Sequence, residues 1–117
     1  MNEHEKINYV EFPTCDMRAT RNFFVDAFGW QFQDFGPDYM AFSRQGIEGG
    51  FFRANLRSCT QNGAALLVLY SQNLEATKAS IEKAGGRIVK DVFDFPGGRR
   101  FHFSEPSGNE LAVWSDC

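Results

Sequence analysis

The spacing of hydrophobic and polar positions along the chain changes several times, and each change marks a predicted element. Residues 7–13 alternate between two sides, as in a half-buried strand, and residues 17–28 carry apolar side chains at helical spacing. Asp16 is a suitable N-cap for this helix, and Gly29 is a suitable stop. Short strands separated by turn residues follow over 30–35, 39–43 and 47–53. The first half therefore predicts a βαβββ unit.

The second half of the chain repeats the first. Residues 16–32 and 73–89 align without a gap at an offset of 57, and four of 17 positions are identical. The repeat predicts a second helix over 74–84 with Asn73 as its N-cap. The strands predicted around that helix are 65–70, 87–92, 99–103 and 109–115. Two copies indicate a duplicated supersecondary unit whose halves bury each other, since a solenoid needs three or more repeats.

This duplication predicts the domain organisation. We expect one domain over 1–117, with a first unit at 7–53, a polar linker at 54–63 and a second unit at 64–115. A chain of 117 residues is long enough to bury a modest core and short enough to gain stability from an oligomeric partner.

Aromatic content is the unusual feature of the composition. Thirteen Phe, two Trp and three Tyr exceed what a small core needs, so we expect some rings to line a cavity or a subunit contact. The net charge is −3 and there is no basic tract, which argues against nucleic-acid binding. The polar start of the chain and the lack of an apolar stretch of about 18 residues predict neither a signal peptide nor a membrane span. The expected location is the cytoplasm.

The three cysteines, Cys15, Cys59 and Cys117, show no pairing motif. We expect reduced thiols with a minor structural role, because disulfides are rare in the cytosol. The alternative is a nucleophilic Cys15, since it precedes a helix N-terminus, where a thiolate is favoured.

Three features together resemble the vicinal oxygen chelate superfamily of glyoxalases, bleomycin-resistance proteins and ring-cleaving dioxygenases. They are the two βαβββ units, the Phe-Gly-Trp helix exit at 28–30, and the closing Glu-Pro-Ser-Gly-Asn-Glu-Leu turn and strand at 105–111. The resemblance covers residues 7–114. It implies an α+β fold in which the two units form a curled mixed sheet, with helices on the convex side and the ligand site in the concavity. It also implies a homodimer, because such members commonly place their sites at or near a subunit contact.

In that superfamily the metal is typically held by the first and last strands of each repeat. The equivalent positions in this chain are Tyr9, Gly50, Leu66 and Ala112. None of them is His, Glu, Asp or Cys, and a divalent ion needs three or four donor side chains that meet at one point. We therefore expect no metal and no other cofactor.

Alternation along the same strands predicts which side chains share the concave side. Those at an even spacing of two or four from the metal positions are Ile7, Glu11, Glu48, Val68, Tyr70, Glu110 and Trp114. Their neighbours are uniformly apolar and are expected to face the helices: Val10, Phe12, Leu67, Leu69, Leu111 and Val113. Further rings nearby are Phe51, Phe52 and Phe101.

The expected ligand contacts are Tyr9, Glu11, Phe52, Tyr70, His102 and Trp114. Glu11 is the candidate base, because a carboxyl group pressed against aromatic rings has a raised pKa. His102 is a base, a metal ligand or a satisfied polar residue. Arg99 and Arg100 form either a cationic lip for an anionic group or a solvated hairpin.

The preferred interpretation is a metal-free homodimer whose aromatic cavity binds a small, partly apolar organic molecule. The alternative is an enzyme, either a glyoxalase-like lyase, isomerase or epimerase or a dioxygenase. Its metal or acid–base chemistry would use Glu11, Glu48, His102 and Glu110.

Overall fold

The computed structural model describes residues 2–117 and shows the βαβββ order in both halves. The first unit contains β1 (Tyr9–Thr14), α1 (Met17–Phe28), β2 (Phe32–Asp34), β3 (Tyr39–Phe42) and β4 (Glu48–Arg53). The second contains β5 (Leu67–Tyr70), α2 (Leu74–Lys83), β6 (Arg87–Phe95), β7 (Gly98–Ser104) and β8 (Glu110–Ser115). A 3-10 turn at Thr60–Asn62 lies between them. The βαβββ order predicted from the repeat and the α+β fold class implied by the resemblance are confirmed.

Element boundaries differ most from the prediction at two strands. β6 continues to Phe95, because only the tight turn after that residue reverses the chain into β7. β2 begins at Phe32 instead of residue 30, because Trp30 turns into the core and stacks on Phe24 with ring centroids 4.4 Å apart. Helix α1 occupies the predicted residues, and α2 ends one residue early, at Lys83.

The eight strands form two four-stranded mixed sheets. The strand order is β1-β4-β3-β2 in the first sheet and β5-β8-β7-β6 in the second. In each sheet the first and last strands of a unit pair in parallel, and the other pairs are antiparallel. The two sheets therefore have the same topology.

The repeat extends to the hydrogen bonds at the start of each helix. The side chains of Asp16 and Asn73 each accept a bond from the backbone N–H three residues later, and both caps have φ −143° and ψ 92°. Two hydroxyl pairs support these caps, Thr14 with Thr20 at 2.8 Å and Ser71 with Thr77 at 2.7 Å. The sequence offset thus relates equivalent contacts.

The helices lie between the two sheets. Phe24 of α1 packs on Phe51 of the first sheet at 5.5 Å between ring centroids, and Phe23 packs on Phe103 of the second sheet at 5.9 Å. One continuous core therefore joins both units. Each sheet buries one face against the helices and turns its other face outward.

Within residues 2–117, neither helix has the length and apolar character needed to cross a membrane.

A buried polar cluster connects the first unit to the β7–β8 turn of the second. The carboxylate of Glu105 is at its centre, and this residue is 2% exposed. Oε1 accepts hydrogen bonds from the Thr20 hydroxyl at 3.0 Å and the Ser107 backbone N–H at 2.7 Å. Oε2 accepts from Asn109 Nδ2 at 2.7 Å and from the Ser107 hydroxyl. The carboxylate is therefore held by four donors from both units.

Candidate functional site

The outward faces of the sheets carry the residues predicted to meet a ligand. In β1, Tyr9 and Glu11 are exposed whereas Phe12 is buried, and in β5 the exposed residues are Val68 and Tyr70. The inner and outer sides are thus those expected from alternation. Phe51 and Phe101 are an exception to the expected ring surface, because both are fully buried in the core.

The predicted contacts divide between two surfaces. The first outer face, on the first sheet, carries Tyr9, Glu11, Tyr39, Glu48, Gly50 and Phe52. The second outer face, on the second sheet, carries Val68, Tyr70, Lys90, Phe93, Phe95, Arg100, His102, Glu110, Ala112 and Trp114. Because the helices separate the sheets, these faces point away from each other. A single cavity lined by both sets requires a second copy of the chain.

Two tyrosines and a carboxylate form a hydrogen-bonded chain on the first outer face. Tyr39 Oη donates to Glu11 Oε2 at 2.9 Å, and the hydroxyls of Tyr9 and Tyr39 are 2.5 Å apart. Since the single Tyr39 proton goes to the carboxylate, Tyr9 donates to Tyr39. Burial raises the pKa of Tyr39, and its bonds with Tyr9 and Glu11 raise it further. Tyr39 is therefore a neutral donor at physiological pH.

The same tyrosine covers one of the positions where the superfamily resemblance placed a metal ligand. A Cβ at Gly50 would lie 2.1 Å from Tyr39 Oη, so only glycine lets the ring lie across β4 in this way. Leu66 and Ala112 have no donor atoms in their side chains, and Tyr9 is a poor ligand while it stays protonated. Within residues 2–117, no three or more His, Cys, Asp or Glu side chains are grouped to hold a metal ion. The donor set does not fit a divalent ion.

A recess of about 620 Å³ opens on the first outer face. Its walls include Tyr9, Gln33, Phe35, Tyr39 and Glu48. The Phe35 and Tyr39 rings are 6.4 Å apart, and Phe35 is largely exposed. The recess therefore combines aromatic surface with hydrogen-bonding groups.

Aromatic rings form a wall on the second outer face. Trp114 contacts Tyr70 edge-on with centroids 5.1 Å apart and lies 6.2 Å from Phe95. The Arg100 guanidinium lies over the rings of Phe93 and Phe95, at 5.2 and 5.8 Å from their centroids. Rings beside a cation suit a planar ligand that carries negative charge.

Tyr70 is anchored at the rim of this wall. Its hydroxyl donates to Asp116 Oδ1 at 2.6 Å, and this bond raises the pKa of Tyr70 and lowers that of Asp116. The ring is thereby held beside Trp114, while about half of the residue stays exposed.

A histidine–carboxylate pair is buried next to the wall. His102 Nδ1 is 2.8 Å from Glu110 Oε2, and Glu110 Oε1 accepts from both the backbone N–H and the hydroxyl of Thr60, each at 2.9 Å. Burial raises the pKa of Glu110, but the bonds from His102 and Thr60 outweigh it, so this pKa lies below its ordinary value. Within residues 2–117, His102 Nε2 has no hydrogen-bond partner.

The strand register brings the two members of this pair together. Ser104 pairs with Glu110 across the β7–β8 hairpin, which brings Glu110 diagonally opposite His102. The hairpin turn at 105–109 is the signal from which this register follows.

The two adjacent arginines have different roles. Arg99 faces α2, where it bonds Glu75 at 2.6 Å, whereas Arg100 lies on the second outer face. Of the two alternatives for this pair, a shared cationic lip is excluded and only Arg100 is placed to meet an anionic group, because neighbours on a strand face opposite sides. The cysteines are unpaired thiols, with Cys15 and Cys117 exposed and Cys59 half-buried.

Comparison with known proteins identifies the class to which this fold and these faces belong. The model of the Glyoxalase/Bleomycin resistance protein/Dioxygenase superfamily matches residues 6–113. The chain therefore belongs to that superfamily. No curated protein matches it in a sequence comparison.

Several solved structures share the fold. A glyoxalase-related enzyme from Fulvimarina pelagi has a TM-score of 0.78 and 13% identity, over 95% of this chain and 88% of that one. Lactoylglutathione lyase from Agrobacterium tumefaciens has a TM-score of 0.72 and 16% identity, over 97% and 96%. TnmS3, an antibiotic binding protein from Streptomyces sp. CB03234, has a TM-score of 0.69 and 17% identity, over 98% of each chain. At these identities the likeness shows a common fold.

Proposed function

We propose that this superfamily member binds a small, planar, partly apolar organic molecule without using a metal. The observation that carries the proposal is the ring wall of Tyr70, Phe95 and Trp114 beside the Arg100 cation on an uncovered sheet face. Apolar and aromatic walls with a few polar groups are typical of small-molecule sites. The similar fold of TnmS3, an antibiotic binding protein, supports a binding role.

The proposal is tested with 4-nitroanisole, a planar neutral molecule whose nitro group quenches tryptophan fluorescence. We expect quenching that saturates, and its loss in Trp114→Phe, since Trp30 is buried in the core. Tyr70→Ala should weaken binding by about 1 kcal/mol, whereas Tyr70→Phe, which keeps the ring, should not. Quenching that stays linear with concentration in the wild-type protein would contradict binding at this face.

Absence of a metal requirement is tested separately. Elemental analysis after dialysis should find no stoichiometric transition metal, because Tyr9, Gly50, Leu66 and Ala112 do not provide a donor set. About one equivalent of Zn, Ni, Mn or Fe per chain, lost together with ligand binding on chelation, would overturn this part of the proposal.

We further propose that a homodimer closes the site. Both outer faces are uncovered in one chain, and the acids Glu11 and Glu48 of the first face can meet Lys90 of the second, which leaves Arg100 for the ligand. A two-fold arrangement that places the first face of one copy on the second face of the other joins these charges twice. Tyr9 and Glu11 would then line the cavity opposite Trp114 of the other copy.

Sedimentation equilibrium tests the dimer. The expected mass is twice the 13.3 kDa of one chain. Lys90→Glu should weaken association, because it places like charges together, and the matched change Lys6→Glu at the exposed start of the chain should not. A wild-type monomer at high micromolar concentration would exclude the dimer.

The second candidate function is acid–base catalysis by a lyase or isomerase. The Glu110–His102 pair favours it, since a carboxylate that orients an imidazole is a common general-base arrangement. Glu11 and Glu48 lie on the other face and do not join this pair within one chain.

The three free thiols are compatible with our expected cytoplasmic location.

A further inference from the structure

We propose that the ligand of the second outer face carries an acidic hydroxyl group, as a phenol or an enol does. In this arrangement the hydroxyl donates to His102 Nε2, and the Arg100 guanidinium pairs with the negative charge that forms on the hydroxyl oxygen of the ligand. The inference rests on the proposed function, because it uses the same face, and it names the chemical class of the ligand.

Glu110 determines which nitrogen of His102 carries the proton. An ionised carboxylate can only accept hydrogen bonds, and Oε2 of Glu110 lies 2.8 Å from Nδ1. Thr60 holds the other carboxylate oxygen with two donors, so the group cannot turn away. Nδ1 therefore bears the hydrogen, and in the neutral ring Nε2 presents a lone pair.

That lone pair is buried without a partner. The His102 side chain is 7% exposed, and Nε2 forms no hydrogen bond within residues 2–117. Buried polar groups in folded proteins are nearly always hydrogen-bonded, so an unpaired acceptor beside an uncovered aromatic wall calls for a donor from outside the chain. A hydroxyl is the donor that can also give up its proton to an imidazole.

Arg100 supplies the matching positive charge. It lies two residues before His102 on the same face of β7, and it takes part in none of the ion pairs formed within residues 2–117. Its Nε atom is buried and also lacks a partner there. The ring of Phe95 lies 5.8 Å from its guanidinium, and a ring on one side of the cation reduces its contact with water and so strengthens its attraction for an anion.

The ligand reaches these atoms by displacing Phe93. This ring lies 6.0 Å from the His102 ring and belongs to β6, the edge strand of its sheet. The pairing of β6 with β7 is irregular between Ile88 and Lys90 and between Lys90 and Phe93. An edge strand with two irregularities is held by fewer regular bonds than a central strand, so it is the side of the site that opens.

On binding, the hydroxyl O–H bond breaks and its proton forms the N–H bond at Nε2. The products are an imidazolium paired with Glu110 and an oxyanion paired with Arg100. Charge and atoms balance without any oxidant or further reactant.

The test compares 4-nitrophenol with 4-nitroanisole, which differ only in the methyl group on the oxygen. Below the pH at which free 4-nitrophenol ionises, the wild-type protein should bind the phenol at least about tenfold more tightly than the ether. The bound phenol should show the visible absorption of its phenolate. His102→Gln and Arg100→Gln should each reduce the ratio of phenol affinity to ether affinity to about one, whatever their effect on the binding of the ether itself.

Matched controls separate the site from general effects of charge. His4→Gln changes the only other histidine, and Arg87→Gln changes an exposed arginine of the same sheet, so both should keep the phenol preference. If His102→Gln does not fold, Glu110→Gln provides a second arm, which should diminish the phenolate absorption. Equal binding of phenol and ether would overturn the inference and leave the proposed function standing. Binding of neither probe would contradict both.

Discussion

Replacing Glu105 with Gln should lower the free energy of unfolding by about 2–4 kcal/mol, although the two side chains have nearly the same shape. Each carboxylate oxygen accepts one backbone or amide N–H and one hydroxyl. A glutamine amide must place its NH₂ group at one of these two positions. Whichever position it takes, the N–H group already there, from Ser107 or Asn109, loses its acceptor.

The neighbouring groups cannot adapt to remove this conflict. A hydroxyl can rotate and become an acceptor, but an N–H group cannot. Asn109 cannot flip its amide, because its Oδ1 accepts from the Ser58 backbone N–H at 2.8 Å and its Nδ2 also donates to the Pro13 carbonyl at 2.7 Å. One buried donor without a partner costs about 1–3 kcal/mol, and the loss of charge weakens the remaining bonds.

Equilibrium unfolding in urea, followed by circular dichroism at one protein concentration, measures this difference. The matched control is Glu82→Gln on the exposed side of α2, which should change stability by no more than about 0.5 kcal/mol. A Glu105→Gln protein within about 1 kcal/mol of wild type would refute the reasoning, since the four donors would then not depend on the charge.

Three further predictions follow from single contacts. Gly49→Ala should destabilise more than Gly50→Ala in urea, because its Cβ would lie 2.3 Å from the backbone oxygen of Val10. The backbone oxygen nearest to a Cβ at Gly50 belongs to Met40 and is 2.8 Å away, and its shorter contacts are with a side chain, that of Tyr39, at the cost of the Tyr39 hydrogen bonds. The raised pKa of Tyr39 predicts a stability advantage over Tyr39→Phe that is full below about pH 10 and is lost above it. The lowered pKa of Glu110 predicts an advantage over Glu110→Gln that is full above about pH 4.3 and disappears as the pH falls through the folded-state pKa. A difference in unfolding free energy between wild type and variant that stays the same at all pH values would contradict the last two predictions.

Local signals in the sequence predicted most of the fold. Helix α1 matches because Asp16 caps it with a side-chain bond and Gly29 ends it at φ 73°, a conformation that favours glycine. The end of β6 was missed because no turn residue follows Val92, and the strand continues until Pro96 and Gly97. Predictions thus succeeded where one residue determines a boundary and failed where pairing with another strand does.

The candidate site was less accessible to sequence reasoning. Alternation placed Tyr9 and Tyr70 on the correct sides of their strands, because a strand has a period of two. The contact of His102 with Glu110 depends on hairpin register, and the position of the two outer faces depends on helices packing between the sheets. Neither is a local property of the chain.

Because the helices lie between the sheets, the core and the proposed ligand face use different residues. The core rings, such as Phe24 and Phe103, face inward, while the outer positions contribute little to packing between the units. Under the proposed function, substitutions at exposed outer positions such as Val68 and Tyr70 are therefore expected to alter ligand preference at small cost to stability. In the proposed dimer a change on one face would also alter the face that it meets in the other copy, so the two faces would have to change together.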